Sequence, residues 1–307
     1  MKTRILLIGS AGLVGTAVRA ALEKSGAEVI GLDLRSDGKE FGDIREADTI
    51  AHAFQGCTGI IQLAAVSRVI FGERDPANCW ATNVEGVRNV LSLALAQNPR
   101  PWLIFASSRE VYGQPDSLPV SEDSPLKPVN VYGRSKVEGE NLVHAARFQG
   151  LRATVIRLSN VYGSTHDHPD RVVPAFARGA VMGSPLRVDG ADHTFDFTHL
   201  DDTVRGILAL ASRLEAGGEA FPPIHFLTGQ ATSLGQLAEL AKELAGSPCE
   251  VVQAPPRNFD VSTFQGDPER ARLLLDWTPR ISIREGLGRL IADFRAELDG
   301  ADGVAIR

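Results

Sequence analysis

The chain has 307 residues, of which 32 are Lys or Arg and 38 are Asp or Glu, so its formal net charge is −6. This balance argues against an extended basic surface, and we expect neither nucleic acid nor an anionic membrane as a partner. Hydrophobic residues make up 43% and charged residues 23% of the chain, as is typical of a globular protein. At about 150 residues per domain, the length predicts one large domain or two.

Cysteine and histidine usage does not indicate a metal centre. The three cysteines form no CxxC pair and no Cys/His cluster, so we predict neither a zinc site nor a disulfide framework. His166 and His168 flank Asp167 in a polar stretch, a pattern more typical of a solvated loop than of a metal site. The apolar run near the first residue is too short for a signal peptide, and no run of transmembrane length follows. We therefore expect a cytoplasmic protein.

Short aliphatic runs alternate with amphipathic helical patterns in the first half of the chain. The predicted strands cover residues 5–8, 28–32, 59–63, 102–106 and 153–158. The predicted helices cover residues 13–24, 47–53, 84–96 and 132–147. This alternation predicts an α/β fold, a doubly wound parallel sheet of the Rossmann type with helices on both faces.

The pattern changes after about Gly163, where turn residues become frequent. Here the predicted helices cover 172–180, 201–212, 233–244 and 284–298, and the predicted strands cover 195–199 and 224–227. Ser233 or Thr232 is expected to cap one helix, and Gly300 to end the last, with residues 299–307 frayed. We place a dinucleotide-binding domain at 1–163 and a smaller α+β substrate-binding domain at 164–307. The chain is expected to return to the first domain around 195–227.

A glycine-rich turn lies between the first predicted strand and the first predicted helix. Gly9, Gly12 and Gly15 give the spacing GxxGxxG, with Leu13 and Val14 between the last two glycines. A tight turn, a close approach of the backbone to a pyrophosphate, and close packing of helix on strand each require a missing side chain. The helix N-terminus then offers free N–H groups to the phosphates. We predict that these five residues bind a dinucleotide.

An acidic residue follows the second predicted strand, where a ribose contact is expected. Asp33 lies 18 residues after Gly15, and a carboxylate there accepts hydrogen bonds from ribose hydroxyls and repels a 2′-phosphate. This favours NAD over NADP, although Arg35 opposes the preference and Asp33 also suits a plain turn. Asp43 and Ile44 are further cofactor candidates, with Asp43 near the adenine amino group, although a loop Asp is usually only solvated.

Tyr132 and Lys136 open the long predicted helix and lie one turn apart on the same face. A tyrosine has a reference pKa near 10 and is a poor base at neutral pH. A neighbouring ammonium stabilises the phenolate, which lowers that pKa and favours acid/base chemistry. Isolated YxxxK pairs arise by chance on many helices, but this one follows a nucleotide-binding turn by the length of four βα units.

At this point the sequence resembles the extended short-chain dehydrogenases/reductases, in particular the NAD-dependent nucleotide-sugar epimerase/dehydratase family. The resemblance covers nearly the whole chain and rests on motifs that occur in order. They lie at residues 9–15, 63–65, 82–84, 106–113, 132–136, 157–163, 195–202 and 266–268. The resemblance implies NAD as the cofactor and a nucleotide sugar as the substrate.

The resemblance also implies roles for individual residues. Ser108 matches the Ser/Thr that hydrogen-bonds the reacting sugar hydroxyl, and Tyr132 matches the base that removes its proton. Lys136 matches the lysine that binds the nicotinamide ribose and lowers the pKa of Tyr132. Asn83 matches a cofactor-positioning residue and Asn160 a diphosphate contact, although Asn83 also suits a helix cap and Asn160 a turn. Further implied contacts are Leu63, Ala64 and Ala65 for the cofactor, and Ser67, Arg109, Glu110 and Val173 for the substrate.

Two departures from the family pattern concern charge. The family often carries an arginine directly before Asp196 to bind the substrate phosphate, and this chain has Phe195 there. Dehydratase members usually carry Asp-Glu after the catalytic Ser/Thr, and this chain has Arg109-Glu110. The acid needed to eliminate water is therefore missing. Glu110 remains either a base or an ion-pair partner of Arg109.

These observations favour an NAD-dependent nucleotide-sugar epimerase that oxidises and re-reduces C4 of a UDP-hexose. Two alternatives stay open: another NAD-dependent sugar or polyol dehydrogenase, dehydratase or decarboxylase, and a non-catalytic NAD-binding regulator. Because a pure binder needs none of the three catalytic candidates, their joint presence argues against the regulator. The resemblance further implies a homodimer formed through the predicted helices 84–96 and 132–147.

Overall fold

The computed structural model describes residues 3–257 and 261–304. Its strands, in chain order, are β1 Arg4–Ile8, β2 Glu28–Leu32, β3 Gly59–Gln62, β4 Trp102–Ser108, β5 Ala153–Leu158, β6 Asn160–Tyr162, β7 Leu186–Asp189, β8 Thr194–His199, β9 Ile224–Phe226, β10 Ala231–Ser233 and β11 Val251–Ala254. Its helices are α1 Leu13–Lys24, α2 Ala47–Ile50, α3 Val69–Arg74, α4 Pro76–Trp80, α5 Gly86–Ala96, α6 Val131–Phe148, α7 Val172–Val181, α8 Leu200–Glu215, α9 Leu234–Ala245, α10 Glu269–Leu275 and α11 Ile283–Val304.

Six parallel strands form the central sheet in the order β2-β1-β3-β4-β5-β9. Its strands are apolar almost throughout because helices cover both faces. On one face, α1 and α8 pack on residues such as Leu7 and Ile104. On the other face, α5 and α6 pack on residues such as Leu6 and Phe105. The predicted α/β fold of the Rossmann type is confirmed.

A second region packs over the carboxyl ends of the central strands. It contains the three-stranded sheet β10-β8-β6, the parallel pair β7 and β11, and the helices α7, α9 and α11. Between these elements the chain returns to the central sheet, where β9 pairs with β5 and α8 packs against α1. The interface between the two regions contains the functional cleft described below.

Several predicted elements differ from the structure. The last helix continues through Gly300 to Val304, so the predicted cap at Gly300 and the frayed segment from residue 299 are wrong, while residues 305–307 lie outside the described residues. A glycine in a helix costs only about 1 kcal/mol relative to alanine, which is too little to end it without a further signal. The predicted helix 47–53 divides into α2 and a 3₁₀ turn, Ala51–Phe54.

The predicted helix 84–96 belongs to a longer helical segment that begins with α4. Between α4 and α5 the chain forms a π-helical turn at Ala81–Glu85. Such single-turn π insertions occur often at functional sites. Among the helices of the described ranges, none is both long and apolar enough to cross a membrane.

Candidate active site

A cleft of about 910 Å³ opens at the carboxyl ends of the central strands and extends to the second region. β2 lies on one side of β1 and β3 lies on the other, so the order of the strands reverses at β1. The cleft lies at this switch point, where α/β proteins bind nucleotides. All of the predicted site residues except Asn83 line this cleft.

The glycine turn leaves no room for side chains at its first and third glycines. Gly9 has a φ of +89°, and a Cβ there would lie 2.6 Å from the backbone nitrogen of Ala64. A Cβ on Gly15 would lie 2.1 Å from the carbonyl oxygen of Gly9. At Gly12 the nearest protein atom, the Gly9 carbonyl oxygen, would be 3.3 Å away. The turn therefore needs Gly9 and Gly15 for its own packing, whereas Gly12 faces a less crowded environment.

The N-terminus of α1 fits a dinucleotide phosphate. Its N-cap is Gly12, which provides no side-chain hydrogen bond, and the first turn holds no acidic residue. Backbone N–H groups and the positive end of the helix dipole are therefore free to bind an anion there.

The Asp33 carboxylate is fixed at the end of β2. One of its oxygens accepts a hydrogen bond from the Ala11 N–H at 3.0 Å, and the other accepts one from the Arg35 N–H at 2.9 Å. Arg35 also forms an ion pair with Asp33 at 3.2 Å through its Nε, but most of the arginine side chain is exposed. The carboxylate is thus tied to the glycine turn and lines the cleft where an adenosine ribose is expected.

Replacing Asp33 with Asn should reduce the preference for NAD over NADP by about tenfold or more, because the negative charge that repels a 2′-phosphate is lost. Isotherms for both cofactors measure this ratio. Glu243→Gln, which changes an exposed carboxylate on α9, is the control and should leave the ratio unchanged. An unaltered ratio in Asp33→Asn would contradict the role given to this carboxylate.

Asp43 lines the cleft, but its carboxylate is engaged with Arg45. The Arg45 Nε donates to both carboxylate oxygens at 2.9 and 3.0 Å, and this pairing lowers the pKa of Asp43. Ile44 is buried beside it and packs where a Cβ on Gly86 would lie. A contact between Asp43 and adenine stays a prediction.

Ser108, Tyr132 and Lys136 come together at the centre of the cleft. Ser108 ends β4, while Tyr132 and Lys136 lie in the first two turns of α6. Ser108 lies close enough to Tyr132 for its side chain to lower the pKa of the tyrosine. The Lys136 Nζ donates to the Ala106 carbonyl oxygen at 2.8 Å and lies 5.9 Å from the centre of the Tyr132 ring.

The sequence predicts that Lys136 lowers the pKa of Tyr132, but in the structure the pKa of Tyr132 is raised. Burial raises the pKa of Tyr132 to about 12, since it disfavours the phenolate, and the Ser108 side chain only partly opposes this. Of the neighbouring charges, Glu110 raises this pKa and Arg171 lowers it. Burial also lowers the pKa of Lys136 to about 8.

Asn83 lies beneath the cleft and not in its lining. It is 1% exposed, accepts a hydrogen bond from the Val66 N–H at 2.8 Å, and donates to the Val66 carbonyl at 3.0 Å and the Ser135 hydroxyl at 2.9 Å. Because it sits inside the π-helical turn, it caps no helix. Asn83 therefore joins the loop after β3 to α6, which positions the cleft wall; a direct cofactor contact stays a prediction.

Glu110 is fully engaged with protein groups. One of its oxygens forms an ion pair with Arg109 Nη2 at 2.8 Å, and the other accepts a hydrogen bond from the Asn130 side chain at 2.8 Å. Asn130 is the N-cap of α6 and accepts from the Gly133 N–H at 2.7 Å. The ion pair is therefore part of the support for the helix that carries Tyr132 and Lys136.

The far wall of the cleft comes from the second region. Val173 is buried in α7, and Asn160 begins β6, where it pairs with Phe197 instead of forming a turn. Ser67 lines the loop after β3 on the near side.

Sequence reasoning missed a charged segment of the far wall. Asp167 is buried, with its carboxylate 3.5 Å from Arg171 Nε, and burial raises its pKa. Asp170 forms an ion pair with Arg68 across the cleft. His168, expected in a solvated loop, is exposed but packs edge-on against Phe71, with ring centres 6.1 Å apart. The only sequence signal was the density of charged residues at 166–171.

Comparison with known proteins agrees with this geometry. Residues 5–222 match the family model described as the NAD dependent epimerase/dehydratase family. The chain belongs to this family. NAD is therefore its cofactor, and the glycine turn and Asp33 agree with this.

Relatives of this epimerase/dehydratase family member are named for different reactions. UDP-glucose 4-epimerase of Mycolicibacterium smegmatis is 31% identical over 313 residues, which cover 95% of this chain and 98% of that protein. UDP-glucuronic acid decarboxylase 1 of Xenopus tropicalis is 30% identical over 316 residues, which cover 97% of this chain and 73% of that protein. The structure of UDP-glucose 4-epimerase with UDP-glucose from Thermotoga maritima has a TM-score of 0.88 and 29% identity, covering 96% of this chain and 100% of that chain.

Proposed function

We propose that this family member is an NAD-dependent epimerase that inverts C4 of a nucleotide sugar of the UDP-hexose type. The observation that carries the proposal is the arrangement at the cleft centre, where Ser108, Tyr132 and Lys136 meet while Glu110 is engaged with Arg109 and Asn130. This arrangement supports alcohol oxidation and ketone reduction, and it holds both carboxylate oxygens of Glu110 on protein partners.

Tyr132 is the acid/base group in this proposal, and Ser108 holds the reacting oxygen. The Tyr132 phenolate takes the proton of the C4 hydroxyl as the C–H bond breaks, and the phenol so formed returns that proton in the second half-reaction. The Ser108 hydroxyl hydrogen-bonds the same oxygen. Lys136, with a pKa of about 8, is mostly protonated at neutral pH and stabilises the Tyr132 phenolate before it takes the proton, against the burial that raises the pKa of the tyrosine. Bound NAD supplies the hydride acceptor and, once reduced, the donor for the return step. The ketone of the sugar turns over between the two steps, so its other face is reduced.

The same contacts argue against dehydration. Elimination of water needs an acid and a base beside the ketone, and the residues that follow Ser108 are a guanidinium and its carboxylate partner. A guanidinium is not a general acid at neutral pH, so the side chain after Ser108 supplies no proton for elimination. Epimerisation needs neither group, since one tyrosine serves both half-reactions.

In this proposal the two regions bind different ligands. The central sheet, residues 1–163 with the returning segment around 195–227, binds NAD, and the second region, 164–307, binds the nucleotide through residues that include Asn160 and Val173. The names UDP-glucose 4-epimerase among the relatives and UDP-glucose in the Thermotoga maritima structure support a UDP-sugar. A homodimer through α5 and α6 and a cytoplasmic location stay predictions.

A substrate panel tests the proposal. The protein is incubated with NAD and, separately, with UDP-glucose, UDP-glucuronate and their C4 epimers, and products are followed by chromatography, mass spectrometry and NADH absorbance. We expect interconversion of a C4 pair with unchanged mass and no accumulation of NADH. A product that has lost water or CO₂, or net NADH formation, would instead indicate a dehydratase, decarboxylase or dehydrogenase. Failure to turn over any nucleotide sugar would contradict the proposal.

A further inference from the structure

Arg109 stacks on two aromatic rings of the second region. Its guanidinium carbon lies 4.6 Å from the centre of the Phe195 ring and 5.7 Å from that of Phe264. Phe195 is on β8, and the segment that carries Phe264 bonds to β8 through the Thr194 carbonyl. Arg109 itself follows Ser108 at the end of β4, so its side chain extends from the reaction centre to the wall of the second region. A guanidinium stacked on a ring keeps its N–H edges available for hydrogen bonds.

One end of this guanidinium is anchored. Nη2 forms the ion pair with Glu110, whose other oxygen is bound by Asn130 at the start of α6. The Arg109 side chain is only 11% exposed. Its position is therefore set from both sides, by the ion pair and by the two rings.

The other end has no partner among residues 3–257 and 261–304. Arg109 Nη1 is buried and makes no hydrogen bond there. A buried cationic N–H without an acceptor costs free energy, and such groups in native proteins usually mark the place of a water, an ion or a ligand. Since Arg109 lines the cleft, a ligand oxygen is the acceptor that the site can receive.

We propose that Arg109 binds the diphosphate of the substrate, with Nη1 donating to a phosphate oxygen. This inference rests on the proposed function. A nucleotide sugar with its sugar at Ser108 and Tyr132 and its nucleoside in the second region must place the diphosphate between them, where Arg109 crosses the cleft. Phosphate oxygens are also the acceptors that a planar guanidinium binds best. The arginine missing at Phe195 is thus replaced in space by one that stacks on Phe195.

Several other arginines that line the cleft are paired with carboxylates. Arg68 pairs with Asp170, and Arg171 lies 3.5 Å from Asp167. Arg187 is largely exposed and pairs with Asp189 at 2.8 Å. Arg187 is a rival for the diphosphate, because its side chain is mostly exposed and lines the cleft.

Equilibrium binding of UDP and UMP to the NAD-loaded protein tests the assignment. The unaltered protein should bind UDP more tightly than UMP. Arg109→Met should weaken the binding of UDP about tenfold to a hundredfold, because hydrogen bonds to charged groups are strong. The affinity for UMP should change much less. Arg109→Lys keeps the positive charge beside Glu110, so its affinity for UDP should lie between those of the unaltered protein and Arg109→Met. Arg272→Met, which removes an exposed ion pair on α10, is the matched control and should bind both nucleotides normally.

Thermal unfolding of each variant accompanies the binding data, and Arg109→Lys gives a result even if Arg109→Met folds poorly. An unchanged UDP/UMP ratio in both Arg109 variants would overturn the assignment, as would loss of that ratio in Arg187→Met alone. Weakened binding of UDP-glucuronate alone, with UDP unaffected, would also overturn it and make the sugar carboxylate the ligand. If the unaltered protein binds no UDP, the proposed function itself fails, which is a separate result.

Discussion

The Tyr132→Phe variant is expected to turn over nucleotide sugar about 100- to 10,000-fold more slowly than the unaltered protein, the range that positioned acid/base groups contribute. Only the hydroxyl that moves the proton is removed, so NAD and UDP affinities should change little. Steady-state rates with matched binding isotherms measure both effects. A fall in kcat with unchanged binding is the pattern of a group that acts in the transition state.

Tyr162→Phe is the matched control for this experiment. Tyr162 also lines the cleft, but its hydroxyl is buried against α11, 2.2 Å from where a Cβ on Gly286 would lie, and it has no hydrogen-bond partner within the described part of the chain. Removing a polar group that is already unpaired is nearly neutral, so this variant should keep most of its activity. If Tyr132→Phe were no slower than Tyr162→Phe, Tyr132 would not be the acid/base group.

The Gly15→Ala variant is expected to bind NAD roughly tenfold more weakly or worse, equivalent to about 1.4 kcal/mol, and to unfold at a lower temperature. The added Cβ would lie 2.1 Å from the Gly9 carbonyl oxygen, so the backbone of the turn must move. In Gly12→Ala the nearest protein atom is 3.3 Å away, and the turn can accommodate the methyl group with a small shift. That variant should keep its thermal stability and still lose NAD affinity, because the methyl group occupies the approach of the pyrophosphate.

Gly288→Ala on α11 is the control for both glycine variants. A Cβ at Gly288 has no neighbouring atom within 4 Å, and alanine favours the helix by about 1 kcal/mol. It should bind NAD normally and unfold at the same or a slightly higher temperature. Normal NAD binding by both Gly12→Ala and Gly15→Ala would contradict the assignment of the glycine turn.

The central sheet could be predicted from the sequence because its local signals are strong. The strand at 28–32, the helix at 13–24 and the strand at 153–158 agree with the structure at both ends. Buried parallel strands are continuous apolar runs, and glycines mark the turns around them. In the second region, β7 and β11 have four residues each and include exposed positions, so they carry no comparable pattern.

The candidate site was predictable where a motif sits at a strand end, and not where side chains meet across the cleft. The glycine turn, Asp33 and the Tyr132–Lys136 pair follow from position along the chain, and Ser108 follows from the family resemblance. The stacking of Arg109 on Phe195 depends on how two regions pack, which no local pattern encodes. The raised pKa of Tyr132 is likewise a consequence of burial, whereas spacing alone indicated the neighbouring ammonium.

Hydrogen isotope retention at C4 tests the central claim most directly. UDP-glucose with deuterium at C4 is incubated with the protein and NAD in ordinary water, and the C4 epimer is isolated for mass spectrometry and proton NMR. Removal of a hydride and its return to the opposite face of the same carbon predict a product that keeps deuterium at C4. A C4 epimer that carries hydrogen from water at that carbon, or no epimer at all, would contradict the account.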